Sequence, residues 1–106
     1  MHIHHIVISV KDFERSKEFY SAFLGKPRAT KWDASWKIGK SSFFISPPYS
    51  KNAEKFDKNN IGLNHLAFGL KNIRELKRFH SKLVKAKIKN SGIRNNNYSK
   101  KTIYLV

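Results

Sequence analysis

The sequence contains no cysteine, which excludes disulfide bonds, thiol nucleophiles and cysteine-ligated metal sites. It has no apolar run near the roughly 18 residues that a membrane-spanning helix needs, and no visible signal peptide. Acidic residues are also few, with 7 Asp and Glu against 22 Lys and Arg in 106 residues. These absences predict a cytoplasmic protein with no membrane segment, and the length of 106 residues predicts one domain with a modest hydrophobic core.

The surplus of basic residues gives a net charge of +15. Such a charge is typical of proteins that bind nucleic acid, acidic membrane surfaces or anionic substrates. Seventeen of the basic residues are Lys, spread along the chain beside nine Asn, a composition typical of genomes rich in Lys and Asn codons. Nucleic-acid binders tend to cluster their charge and to favour Arg. We therefore favour the compositional explanation and do not expect a nucleic-acid partner, which stays a third hypothesis.

The chain contains an internal repeat of one eight-residue segment. His5-Ile-Val-Ile-Ser-Val-Lys-Asp12 is followed 60 residues later by His65-Leu-Ala-Phe-Gly-Leu-Lys-Asn72. Apolar alternation predicts a strand in each copy, over residues 3–10 and 63–70. The residue that ends each copy is a good N-cap for the apolar helical pattern that follows it. The repeat therefore predicts two similar modules that form one domain.

The modules are predicted to run over residues 1–48 and 62–106, joined by a polar linker over 49–61. Each module consists of a strand, a helix and then short antiparallel strands. This order predicts an α+β fold with a mixed sheet and helices on one side. The short strands are predicted at 28–32, 36–38 and 42–46 in module one, and at 86–93 and 102–106 in module two.

The even offset between the two copies preserves strand parity. In the first strand Ile6 and Ile8 share one face, while His5 and Ser9 share the other. The second copy places His65 on the matching face, beside small residues that leave volume unfilled. Two imidazoles that face one concave space would supply half of a divalent-metal site. The alternative is that each His is a hydrogen-bonded interior residue.

With both copies laid out, the chain resembles the vicinal oxygen chelate superfamily, which includes glyoxalase I, bleomycin-resistance proteins and extradiol dioxygenases. The resemblance rests on residues 5–25, with the strand His, Phe19-Tyr20 and Leu24-Gly25, and on Gly62-Leu-Asn-His-Leu-Ala-Phe-Gly-Leu70. It implies two βαβββ-type modules whose curved mixed sheet encloses a cleft, with the helices on the outer face.

The resemblance also implies a divalent metal (Zn, Ni, Mn or Fe) bound by His5, His65 and Glu residues of later strands. The strand predicted at 42–46 has no carboxylate, however, and no Glu-bearing strand follows 102–106. The second module is therefore expected to be incomplete, as in a truncated or degenerate family member. Its unpaired sheet edge would favour a homodimer.

Five side chains are predicted to contact a small-molecule ligand in the cleft: Trp36, Phe44, Ser46, Tyr49 and Tyr104. For Trp36 and Tyr49, ordinary packing in the core is the alternative. The leading functional hypothesis is metal-dependent lyase, isomerase or dioxygenase chemistry on a small oxygenated substrate, with no catalytic residue assigned. The runner-up is a metal-free module that sequesters a small drug-like aromatic or anionic compound.

Overall fold

The computed structural model of the protein describes residues 1–94 and the backbone of residues 102–105. The chain divides into two compact units, Met1–Ala53 and Glu54–Val106. The boundary between them falls inside the polar segment predicted as the linker, 49–61. Within the described residues, neither helix has the length and the hydrophobicity of a membrane span.

Unit 1 is a four-stranded sheet with one helix. Along the chain it consists of β1 (His5–Ser9), α1 (Phe13–Leu24), β2 (Arg28–Ala29), β3 (Ala34–Ile38) and β4 (Ser41–Ser46). The strand order is β1-β4-β3-β2, with β1 parallel to β4 and the other pairs antiparallel. This mixed sheet confirms the α+β prediction.

The helix α1 begins after the N-cap that the sequence predicts and ends before Gly25. The Asp12 carboxylate accepts the backbone N–H of Arg15 at 3.1 Å, which satisfies one of the free donors of the first turn. At the other end Gly25 has a φ of 89° and donates its N–H to the carbonyl of Ser21 at 3.1 Å. A side chain at this φ would be strained, so glycine suits the end of the helix.

The core of unit 1 lies between α1 and one face of the sheet. Its buried side chains are Phe23, Ala34, Trp36, Phe43 and Ile45, of which Ala34 and Ile45 are 0% exposed. Strand parity places the last four on the same face, because the register pairs Ala34 with Ile45 and Trp36 with Phe43.

Tyr20 of α1 joins this core through ring contacts with Trp36 and Phe43, at centroid distances of 5.8 and 5.1 Å. Burial raises the pKa of the Tyr20 hydroxyl above its ordinary value. The phenol is therefore neutral at physiological pH and acts as part of the apolar packing.

Unit 2 contains α2 (Ile73–Lys85), β5 (Asn90–Arg94) and β6 (Thr102–Leu105). The last two form an antiparallel pair. Asn72 caps α2 as predicted, accepting the N–H of Glu75 at 3.0 Å. The Glu75 carboxylate accepts the N–H of Lys71 at 2.9 Å, one residue before the N-cap, which satisfies a second backbone donor at this end of the helix.

The strand predicted at 63–70 is not formed, which corrects the sequence interpretation. These residues carry no regular secondary structure and are mostly exposed. Their equivalent in unit 1, β1, is held by parallel pairing with β4. The described residues of unit 2 supply only the β5–β6 pair, so 63–70 has no ladder partner there. The alternation of apolar residues indicates which side chains share a face, but a β-strand forms only where the backbone can hydrogen-bond to a neighbouring strand.

Candidate functional site

The face of the unit 1 sheet that lies opposite α1 carries the first predicted metal ligand. On β1 this face holds His5, Val7 and Ser9, all exposed, while Ile6 and Ile8 alternate to the other side. The β1–β4 register places one β4 residue beside each of them. We call this surface the site face, and its residues on these two strands are His5, Val7, Ser9, Ser42, Phe44 and Ser46.

The site face continues onto the other two strands through polar and basic residues. The register sets Ser35 beside Phe44 and Lys37 beside Ser42 on β3. On β2, Arg28 pairs with Ser35 and so lies on the same face. No Asp or Glu occurs among these residues of the described sheet, so the face is cationic.

The serine hydroxyls of the site face are available to a ligand. Within the described part of the chain, the side chains of Ser9, Ser42 and Ser46 make no hydrogen bond to protein, and Lys37 makes no ion pair. Hydroxyl and ammonium groups with no protein partner can donate hydrogen bonds to the oxygens of a bound molecule. The arrangement therefore suits an oxygen-rich, negatively charged ligand.

His5 stands at one end of this surface and is exposed. Its ring meets Phe44 edge to face, with the centroids 5.8 Å apart. Its Nδ1 lies 2.9 Å from Nδ1 of His4, so one of the two nitrogens donates and the other accepts. When His5 is the donor, its Nε2 carries the free lone pair that binds a metal.

His65 in unit 2 has a hydrogen bond that fixes the form of its ring. Its Nδ1 lies 2.8 Å from Oδ1 of Asn64, an acceptor, so Nδ1 carries the proton. The Asn64 amide is itself oriented, because its Nδ2 donates to the carbonyl of Lys58 at 3.2 Å. The lone pair therefore lies on Nε2 of His65, which is the form of imidazole that binds a metal.

Asn64 was missed by the sequence reasoning. Its place directly before His65 was a signal, because a neighbouring amide oxygen is a suitable acceptor for a ring N–H.

The donor chemistry of both histidines fits a divalent metal, but their joint use stays a prediction. His5 belongs to unit 1 and His65 to unit 2. The described residues contain no group of three or more His, Cys, Asp or Glu side chains placed to hold one ion. Two imidazoles alone would bind a metal weakly, and water or substrate oxygens would complete the coordination sphere.

The remaining predicted ligand contacts separate into three groups. Phe44 and Ser46 are half-buried and lie on the site face. Tyr49 follows β4 in an irregular segment and is fully exposed. Tyr104 belongs to β6, where its side chain lies outside the described residues.

Trp36 does not lie on the site face, which corrects the prediction. It is 4% exposed in the core under α1, and its indole N–H donates to the carbonyl of Gly25 at 2.8 Å. The tight turn at Gly39, whose φ is 60°, pairs Ile38 with Ser41 and so pairs Trp36 with Phe43. Phe44 then points to the opposite face, so Trp36 and Phe44 cannot line the same surface.

Comparison with known proteins places this fold among glyoxalase-like proteins. Sixteen chains of solved structures match the model. One is a proposed glyoxalase from Bacillus halodurans, with a TM-score of 0.69 and 24% identity, covering 85% of this chain and 72% of that one. No curated protein sequence matches the chain.

Two further structures carry functional names. A lactoylglutathione lyase from Agrobacterium tumefaciens matches with a TM-score of 0.67 and 15% identity, over 98% of this chain and 84% of that one. The genomically encoded fosfomycin resistance protein FosX from Listeria monocytogenes matches with a TM-score of 0.66 and 15% identity, over 99% of this chain and 83% of that one. At these identities the likeness shows the fold alone.

A family profile extends the agreement from fold to sequence. The profile that matches is that of the glyoxalase/bleomycin resistance protein/dioxygenase superfamily, and the match runs over residues 2–105. It includes both copies of the repeated segment and the whole of the site face. The chain belongs to the glyoxalase/bleomycin resistance protein/dioxygenase superfamily.

Proposed function

We propose that the site face binds a small, oxygen-rich, anionic molecule, and that His5 and His65 hold a divalent metal that takes part in this binding. The observation that carries the proposal is the position of His5, beside the Phe44 ring and a row of serine hydroxyls with no protein partner. Superfamily members commonly use divalent metals. When bound, the ion would act as a Lewis acid toward neighbouring oxygens of the substrate.

The residues around His5 would orient such a molecule. Phe44 offers an apolar surface for the carbon skeleton, and Ser42 and Ser46 flank it on the same strand as hydrogen-bond donors. Lys37 and Arg28 favour negative charge on the ligand. A substrate held in this way would place its oxygens beside a metal held by His5. Metal-assisted lyase, isomerase and dioxygenase chemistry would each use an ion next to the substrate oxygens, and we propose an activity of this group.

Acetohydroxamate, a small molecule that chelates metals through two adjacent oxygens, tests the proposal by calorimetry. Binding is expected in the presence of Zn²⁺ or Ni²⁺ and is expected to disappear with EDTA. Phe44→Ala should weaken it about tenfold, or about 1.4 kcal/mol, because the apolar contact is lost. Phe13→Ala, which removes an aromatic ring from α1, is the matched control and should leave binding unchanged. Binding that survives EDTA and is unaffected by Phe44→Ala would contradict the proposal.

A metal-free binding module is the second candidate function. It is favoured by the lack of carboxylates on the described site face, since Phe44, Lys37 and Arg28 would still attract an aromatic anion without an ion. Benzoate distinguishes the two functions in the same experiment. The metal-free binding function is correct if three results are found together. Benzoate binds in the presence of EDTA, the Phe44→Ala variant does not bind benzoate, and acetohydroxamate shows no metal-dependent binding.

A further inference from the structure

The positive charge of the chain is concentrated in unit 2. Residues 54–106 contain 13 Lys and Arg and 3 acidic residues, a net +10, whereas residues 1–53 contain 9 basic and 4 acidic residues, a net +5. Within unit 2, the stretch 71–89 holds eight basic residues and one Glu, a net +7. The charge is therefore clustered around α2, and the even spread considered above does not describe it.

The exposed face of α2 gathers part of this charge around a groove. Arg74 is three and four residues before Lys77 and Arg78, and Ser81 is four and three residues after them, so these four residues lie on one face of the helix. Together with Ile73 they line a shallow groove of about 500 Å³. Two of the five Arg residues of the chain stand here, one helical turn apart. Arg binds phosphate with two parallel hydrogen bonds, which Lys cannot do.

No acidic side chain neutralises this groove within the described part of the chain. The ion pair of the described residues joins Lys17 and Glu14 at 3.0 Å, and both residues belong to α1. Glu75, the one acidic residue of α2, has its carboxylate engaged at the start of the helix by the N–H of Lys71. Arg74, Lys77 and Arg78 are all exposed and so are free to meet an anionic partner.

The burial of the opposite side of α2 indicates whether the anionic partner is a nucleic acid or a membrane surface. Leu83 is 0% exposed, Leu76 and Phe79 are half-buried, and α2 packs against β5. A helix that binds a lipid surface buries its apolar face in the lipid. Ile73 and Val84 are 43% and 58% exposed, but the rest of the apolar face of α2 is already used within unit 2, so the surface that remains is mainly cationic.

We propose that the α2 groove binds the phosphodiester backbone of nucleic acid, independently of base sequence. The phosphates would lie along Arg74, Lys77 and Arg78, with the Ser81 hydroxyl as a further donor. This row of basic residues continues beyond the groove to Lys85, which is eleven residues after Arg74 and so about 16 Å further along the helix. It shares no residue with the site face, so this proposal is independent of the small-molecule function.

Fluorescence anisotropy with a labelled 20-base-pair DNA duplex, measured between 50 and 200 mM salt, tests the proposal. Binding with Kd of about 10⁻⁴–10⁻⁶ M near physiological salt is expected, with a logarithmic salt slope of about −3 for three to four phosphate contacts. A duplex of scrambled sequence should bind equally. The triple variant Arg74→Gln, Lys77→Gln, Arg78→Gln should lose at least about tenfold in affinity at 50 mM salt, and its slope should shrink by about 2 to 3.

A matched triple variant in unit 1 separates this groove from the effect of net charge. This variant removes an equal number of positive charges from exposed positions, through Lys11→Gln, Lys26→Gln and Lys40→Gln. It should change the salt slope by less than about 1. Circular dichroism of each variant confirms that it is folded. Three results would overturn the proposal: no binding at 50 mM salt, equal losses in both triple variants, or tighter binding to phosphatidylserine vesicles than to DNA through the same three residues.

Discussion

Replacing Ile45 with Ala is expected to lower the free energy of unfolding by about 2–5 kcal/mol. Ile45 of β4 is 0% exposed at the centre of the unit 1 sheet, where its neighbours across the two ladders are Ile8 of β1 and Ala34 of β3. Removing three carbons there loses transfer free energy and leaves a cavity that the rigid strands on both sides cannot close. Urea unfolding followed by circular dichroism gives the value.

Val7→Ala is the control for this comparison. Val7 lies on β1 of the same sheet but on the site face, where it is 50% exposed. The expected loss is below about 1 kcal/mol, since much of the side chain is in water in the folded protein. If Val7→Ala cost as much as Ile45→Ala, the site face would be part of the core, and no ligand surface would be available there.

Replacing either His5 or His65 with Ala is expected to lower the affinity for Zn²⁺ about 100-fold, or about 2.8 kcal/mol. Each substitution removes one of two imidazole ligands from a site with no protein carboxylate identified, so the remaining ligand holds the ion poorly. Calorimetric titration with Zn²⁺ measures the loss. His80→Ala, on the half-buried side of α2, is the control that should leave the affinity unchanged.

His4→Ala distinguishes a competing site. Nδ1 of His4 lies 2.9 Å from Nδ1 of His5, so these two neighbouring rings are close enough to share an ion. The proposed site predicts losses in the His5 and His65 variants that exceed the loss in His4→Ala. Equal losses in His4→Ala and His5→Ala, with none in His65→Ala, would place the ion in unit 1 and remove His65 from the metal site.

The sequence predicted those parts of the fold that depend on local patterns. The Asp12 and Asn72 caps, both helices and the separation of His5 from Ile6 and Ile8 follow from side-chain chemistry and strand parity. These signals reside in a few neighbouring residues, so no knowledge of distant contacts is needed to interpret them.

The errors arose where pairing between strands decides the outcome. Segment 63–70 has the alternation of β1 but lacks a partner in the described part of unit 2. Trp36 was assigned to the ligand site for its ring alone, although the Gly39-Lys40 turn fixes the β3–β4 register and places it beside Phe43. Counting back from that turn would have put Trp36 and Phe44 on opposite faces. The place of Asn64 beside His65 could be seen in the sequence, but the orientation of its amide depends on a hydrogen bond to the carbonyl of Lys58, which only the structure shows.

We propose that the two repeated histidines bind one metal ion, each through Nε2. Histidine side-chain ¹⁵N NMR during a Zn²⁺ titration tests it most directly, because it reports protonation and metal binding at each ring nitrogen. We expect His65 to carry its proton on Nδ1 before metal is added. The Nε2 signals of His5 and His65 should then shift together and saturate at one ion per chain. Saturation of His5 together with His4, while His65 does not respond, would contradict it.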